Sequence, residues 1–174
     1  MEINSKSREI ALMVEKMPIW NRHVFHIFMS IEGKNEVQTS NIIDLLQHRN
    51  KQLVLSSSDM QSRQMKHFIL SEHTKIYTNT FGIPEPSGGI EIKPPNIDLV
   101  FVPLLAYDLK GNRVGFGKGF YDIFLSQCRP DCLKIGLSFF APEAEISDTN
   151  EMDICLDYCV SPNKIYNLQE TIHN

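Results

Sequence analysis

The sequence predicts an α/β fold: a single domain over 1–174 in which a mostly parallel central sheet carries helices on both faces, in three layers. Three observations point there. Segments with helical apolar spacing alternate with short β-branched and aromatic runs, the order that builds βαβ units. Residues 97–102 (IDLVFV) are an almost continuous apolar run, as a strand buried on both faces requires. A glycine-rich stretch then leads from that run into another helical pattern, and ligands of open α/β sheets bind at the carboxyl ends of the strands.

Taken in order, residues 4–17 place Ile10, Val14 and Met17 on one helical stripe with Ala11 and Met13 beside it, and Pro18 limits the helix. Residues 23–29 (HVFHIFM) read as a core strand. Its two histidines alternate with apolar positions and are expected to be satisfied or edge-facing rings, not metal ligands. The loop SIEGKNEVQT ends at Thr39 or Ser40 as an N-cap, and the helix over 41–50 presents Ile42, Ile43, Leu45 and Leu46. Residues 52–55 form a second strand, 56–63 a polar connection and 65–70 a third strand. The span 81–96 concentrates glycine and proline and reads as an ordered surface loop. After the apolar strand come a helix over 120–128, strands over 133–138 and 154–160, and a short tail.

At 174 residues the chain is long enough to bury a core, and a net charge of −4 argues against nucleic acid as its main partner. It has no apolar run of membrane-spanning length and no signal-like start, so a cytoplasmic protein acting as a monomer on small molecules is expected. The four cysteines form two C-x-x-x-C pairs. Zinc is one reading. Buried free thiols are the favoured one, with Cys155 and Cys159 on one face of the last strand.

The chemistry concentrates in RVGFGKGFYD at 113–122. Glycines 115, 117 and 119 leave alternate backbone positions without a Cβ, so a bulky ligand can approach the main chain. Free N–H groups in such a loop, followed by a helix start, seat phosphate, and Arg113 and Lys118 add donors. Asp122 stands where it could hold Mg²⁺ on the same oxygens. Neither the P-loop nor the G-x-G-x-x-G spacing is met, so a glycine-rich hairpin turn stands as the alternative.

The run RVGFGKGFYD, preceded by VPLLAYDLKGN, resembles the signature of the 5-formyltetrahydrofolate cyclo-ligase family, with NEVQT at 35–39, FGIPEP at 81–86 and DICLD at 153–157 in matching order. The resemblance implies a Rossmann-like fold of the NagB/RpiA/CoA-transferase type. It also implies ATP- and Mg²⁺-dependent conversion of 5-formyltetrahydrofolate into 5,10-methenyltetrahydrofolate through a phosphorylated formyl group, with release of ADP and phosphate. Carried over residue by residue, Arg113, Val114, Gly115, Phe116, Gly117, Lys118, Gly119, Phe120 and Tyr121 match the ATP loop, with Arg113, Lys118 and Tyr121 as catalytic residues. Met29, Glu36, Phe81 and the stretch from Phe116 to Phe120 match folate contacts. Asp122 and Asp153 match magnesium ligands, whereas Asp157 is held to be structural.

Three positions depart from the family pattern. Phe116 stands for tyrosine or arginine, Phe120 for a frequent tyrosine, and Phe81 for a frequent tryptophan. The family's N-terminal helix with Lys-x-x-Leu-Arg also has no match here, since Lys6 and Arg8 lack its spacing. A folate- or nucleotide-binding relative without turnover is therefore the second reading, and an unrelated kinase or phosphatase using the same anion loop a third.

Overall fold

The structure is a computed structural model that describes residues 2–169. In chain order its elements are α1 (Glu2–Glu15), β1 (Val24–His26), α2 (Ser40–His48), β2 (Gln52–Ser58), β3 (Met65–Ile69), β4 (Ile76–Thr78), β5 (Pro84–Pro86) and β6 (Glu91–Ile92). They continue with β7 (Leu99–Pro103), β8 (Ala106–Tyr107), β9 (Arg113–Val114), α3 (Phe120–Gln127), β10 (Leu133–Leu137), β11 (Tyr158–Val160) and β12 (Ile165–Asn167). The main sheet has eight strands in the order β12-β11-β10-β7-β1-β2-β3-β6. Strands β11, β10, β7, β1 and β2 run parallel, and β12, β3 and β6 add antiparallel edges.

The apolar run of β7 shows why the sheet is covered twice. Leu99 and Phe101 join the cluster formed with Ile10 and Val14 of α1 and Ile42 and Leu46 of α2. Val100 and Val102 point the other way, to Phe124 and Leu125 of α3. Residues alternating through one strand thus serve two cores, and both faces need apolar side chains. The expected α/β class, with a mostly parallel sheet between helical layers, is borne out.

Several boundaries differ from the sequence expectation. The polar run Ser56–Ser58 continues β2, because its backbone pairs with β3 as far as Ser58↔Met65. The glycine- and proline-rich span contains β5 and β6, with β5 paired to β4 and Glu85 accepting hydrogen bonds from Ser58 N and the Tyr77 hydroxyl. The last parallel strand begins only at Tyr158. Cys155 therefore lies in the preceding loop and does not share a strand face with the buried Cys159. All four thiols are free, and among the described residues no three His, Cys, Asp or Glu side chains converge on a metal position. Among these residues no helix is long and apolar enough to cross a membrane.

The α3 face encloses a polar inclusion. His26 and His67 are 1% and 2% exposed, and Ser56 Oγ bridges them, 2.7 Å from His26 Nε2 and 2.6 Å from His67 Nδ1. Both rings pack on Phe124 of α3. His26 Nδ1 and His67 Nε2 have no partner among the described residues. The expectation of a satisfied ring thus holds for only one nitrogen of His26, and His23 lies exposed ahead of β1. Burial holds His26 well below the usual histidine range, aided by His67, and pushes His67 down to about 4. An unfolded histidine takes up its proton near pH ~6.5. Between there and about 4 the unfolded state binds more protons than the folded one, so stability is intact above that window and falls as the solution is acidified through it. The urea midpoint is expected to drop steadily from neutral pH to pH ~4.5, and His67→Phe to flatten that dependence. An unchanged slope in the variant would remove His67 as its cause.

Candidate active site

The strand order reverses beside β1. The chain passes from β1 to β2 on one side and returns with β7 on the other, then steps outward to β10 and β11. A crevice opens at such a reversal, beyond the carboxyl ends of the strands. Here the segments leaving β1, β7 and β10 contribute Phe28, Leu104 and Phe140, among others, to a cavity of about 340 Å³. That size is within the range of small-molecule sites.

Glu36 is the carboxylate on this otherwise largely aromatic and aliphatic wall. Its Oε2 accepts the N–H of Ile31 at 2.8 Å, closing a turn in which Gly33 takes φ +78°. One oxygen thus fixes the side chain, and the other has no hydrogen bond among the described residues. Phe116 reaches the same cavity from the glycine loop and is 53% exposed.

That loop follows the hairpin of β8 and β9. The buried Asp108 organises the hairpin turn by accepting the N–H groups of Lys110 and Asn112 and the Asn112 side-chain amide, and it also accepts Ile146 N. Gly117 and Gly119 take φ +87° and +70°, and Gly119 is the N-cap of α3 without a side-chain cap. A Cβ built on Gly115, Gly117 or Gly119 would meet nothing within 4 Å. The glycines therefore face open space, not packed protein, which is the arrangement a ligand pressed on the backbone requires. No backbone N–H from 115 to 119 is seen to donate a hydrogen bond among the described residues. These unspent donors and the uncapped helix start suit an anion.

The charged residues sort differently from the sequence expectation. Lys118 is exposed on the loop. Arg113 is not: its side chain is 6% exposed, its Nη2 meets Asp122 Oδ1 at 2.8 Å, and its Nη1 donates to the carbonyl of Ile154. Asp122 Oδ1 also accepts Ile154 N at 3.0 Å. Asp153 precedes Ile154 in the chain, and among the described residues its Oδ2 accepts Asn150 N within a turn. Each carboxylate keeps one oxygen without a hydrogen bond among the described residues. Tyr121 is partly buried beside His26, with ring centroids 6.2 Å apart. Burial raises its phenol above the ordinary range, the Arg113 charge opposes this and the Glu36 charge adds to it. Tyr121 is thus a protonated donor at neutral pH, close enough to sense both ends of the site.

Residues 2–159 match the model of the 5-formyltetrahydrofolate cyclo-ligase family. The chain belongs to that family. It is 32% identical over 137 residues to the 5-formyltetrahydrofolate cyclo-ligase of Haemophilus influenzae, covering 75% of this chain and 71% of that protein. A probable 5-formyltetrahydrofolate cyclo-ligase of Schizosaccharomyces pombe is 30% identical over 180 aligned positions, 94% of this chain and 87% of the other. The solved structure of Aquifex aeolicus 5,10-methenyltetrahydrofolate synthetase superposes with a TM-score of 0.77 at 26% identity, covering 94% of this chain and 81% of that one. The family read from the motifs, and the folate-ligase enzyme class it entails, are borne out.

Of the expected site residues, Glu36 and Phe116 meet at the cavity, Arg113 and Asp122 pair across the ends of the glycine loop, Tyr121 stands beside Asp122 at the start of α3, and Asp153 lies next to the Ile154 that bonds to both members of the pair. Met29 instead packs against the α1/α2 core, and Phe81 is 61% exposed outside the cavity wall. A side chain at Gly82 would come within 3.8 Å of Ile31 on that wall, so the 81–82 turn flanks the rim. Sequence reasoning missed Phe28, Leu104, Phe139 and Phe140, although Phe139 and Phe140 directly follow a parallel strand. Asp157 is structural as expected, bonded to Lys134 N and Nζ.

Removing the guanidinium isolates Asp122 and the Ile154 carbonyl together. Arg113→Met is expected to lower unfolding stability by about 2–3 kcal/mol, at the low end for a buried pair because Asp122 is partly exposed. A loss under about 0.5 kcal/mol in denaturant melts would show the contact to be of the weak surface kind.

Proposed function

We propose that this chain is the catalyst of ATP- and Mg²⁺-dependent cyclisation of 5-formyltetrahydrofolate to 5,10-methenyltetrahydrofolate, acting as a monomer in the cytoplasm and releasing ADP and phosphate. The observation that carries the reading is the double membership of Phe116. It belongs to the open glycine loop and to the aromatic cavity, so a phosphate donor lying on the loop and a ring system in the cavity would meet there.

The chemistry has to turn an amide oxygen into a leaving group. The formyl oxygen attacks the γ-phosphorus and the bond to ADP breaks, which gives an O-phosphorylated iminium at N5. N10 then adds to the formyl carbon and loses its proton to solvent, and the carbon–oxygen bond breaks as phosphate departs with the former formyl oxygen. Phosphoryl transfer needs positioning and charge neutralisation more than covalent help. The N–H groups of 115–119 and the exposed ammonium of Lys118 are suited to both. Arg113 contributes by holding the loop and by placing a positive charge beneath it. The open oxygen of Glu36 suits the N3–H and 2-amino donors of a pterin.

The donor chemistry of Asp122 and Asp153 suits Mg²⁺, since each carboxylate keeps an oxygen without a hydrogen bond among the described residues and one or two carboxylates are a usual protein share for that ion. When bound there, Mg²⁺ would neutralise charge on the transferring phosphate.

Growth of the methenyl-folate absorbance band with protein, 5-formyltetrahydrofolate, Mg²⁺ and ATP, and none without ATP, is the expected result. A flat trace with ATP present would overturn the reading. Lys118→Ala is expected to slow turnover at least about tenfold while folate binding persists, and unchanged turnover would take Lys118 out of the mechanism. Asp153→Asn, which leaves the Arg113 ion pair alone, is expected to raise the Mg²⁺ concentration for half-maximal rate. An identical Mg²⁺ titration would refute the metal assignment.

A further inference from the structure

Phe140 is a large aromatic residue that the fold leaves 65% exposed, yet its backbone is pinned at both ends. Its N–H donates to Ser138 Oγ at 3.1 Å, and its carbonyl accepts the hydroxyl of Tyr107 at 3.1 Å. Tyr107 is itself 1% exposed in β8. The segment beyond Phe140 is stitched to the same hairpin, Glu143 N to Tyr107 O at 2.7 Å and Ile146 N to Asp108 Oδ2 at 3.0 Å. These bonds fix the backbone from which the exposed ring projects, so less conformational freedom is left to be lost when a flat partner binds.

We infer that Phe140, together with Phe116, clamps the p-aminobenzoyl ring of the folate and thereby sets the approach of N10 to the formyl carbon. The inference rests on the proposed reaction. Both phenylalanines line the cavity and both are more than half exposed, so a ligand ring between them would bury apolar surface that the protein alone leaves wet. The two ring systems of the substrate make different demands. The pterin edge needs a carboxylate, and Glu36 answers it from a partly buried position. The aminobenzoyl ring needs only stacking, and its outer end bears an amide and carboxylates that belong in water, as the exposed rim allows. N10 is bonded directly to that ring, so a ring held in one orientation holds N10 in one orientation as well. Phe140 is then a substrate-contacting residue, and Tyr107 a positioning residue acting through the Phe140 carbonyl.

The test compares Phe140→Ala, Phe140→Tyr and Tyr107→Phe with the parent chain. It reads kcat and KM for 5-formyltetrahydrofolate and for ATP, and binding of both 5-formyltetrahydrofolate and 5-formyltetrahydropterin, which lacks the aminobenzoyl ring. Phe140→Ala is expected to weaken full-substrate binding about tenfold and to lower kcat besides, with the ATP KM and pterin-fragment binding unchanged. Phe140→Tyr should restore most of the loss, and Tyr107→Phe should show a smaller loss in the same direction. Equal weakening for substrate and fragment would place Phe140 on the pterin and overturn the clamp, as would wild-type values for Phe140→Ala. Absence of methenyl product from the parent chain is a failure of the reaction itself, and the two binding comparisons then still decide the clamp.

Discussion

A single guanidinium holds the site together. The glycine loop has almost nothing of its own to pack, since three of its five residues lack side chains. Its conformation is imposed from the ends, by an ion pair between Arg113 just before it and Asp122 just after it. The same guanidinium takes the Ile154 carbonyl, and Ile154 N returns a hydrogen bond to Asp122. The two ends of the loop and the distant Ile154 segment are thus fixed to one planar fork, a geometry that arginine offers and lysine does not. Because the pair is shielded, its attraction is screened less than that of a surface contact. The cost is that Arg113 is committed to protein partners, which leaves the loop amides and Lys118 as the donors without a partner among the described residues.

The sheet delivers the second half of the site to that loop. The strand order reverses between β1 and β7, and the segments beyond them diverge, as does the one beyond β10. The cavity lies where they part, and α3, which follows the glycine loop, packs on the opposite face of the sheet from α1 and α2. Loop and cavity therefore sit at the same end of the parallel strands without competing for the same layer. The β8–β9 hairpin, held by the buried Asp108, brings the two together at Phe116.

Local rules of stability are broken in two places. Two ring nitrogens of the His26–Ser56–His67 group are buried without partners among the described residues, under the first turns of α3. Phe116 and Phe140 are left in water at the cavity. Conflicts of this kind concentrate where a fold serves a site as well as a core. The exposed rings are open to a ligand, as the proposed clamp requires. The histidines have their counterpart in the aromatic stack that carries Tyr121 and Phe124, at the expense of tolerance to acid.

Much was legible in the sequence because it depends on local pattern. The alternation of apolar runs determined the α/β class, IDLVFV marked the strand buried on both faces, and the spacing of three glycines marked the backbone open to a ligand. Motifs singled out Glu36, Lys118, Asp122 and Asp153 as candidates. Edges were not: Ser56–Ser58 and Pro84–Pro86 are strands only because a neighbouring strand offers its backbone. The partner of Arg113, the exposure of Phe140 and the packing of the half-buried Met29 against the core were likewise undetermined, since each depends on contacts between residues distant in the chain. A one-dimensional sequence fixes which donors, charges and rings are available. Which of them face each other, which are spent on the protein and which stay free for a ligand is decided by the order in which the strands come together.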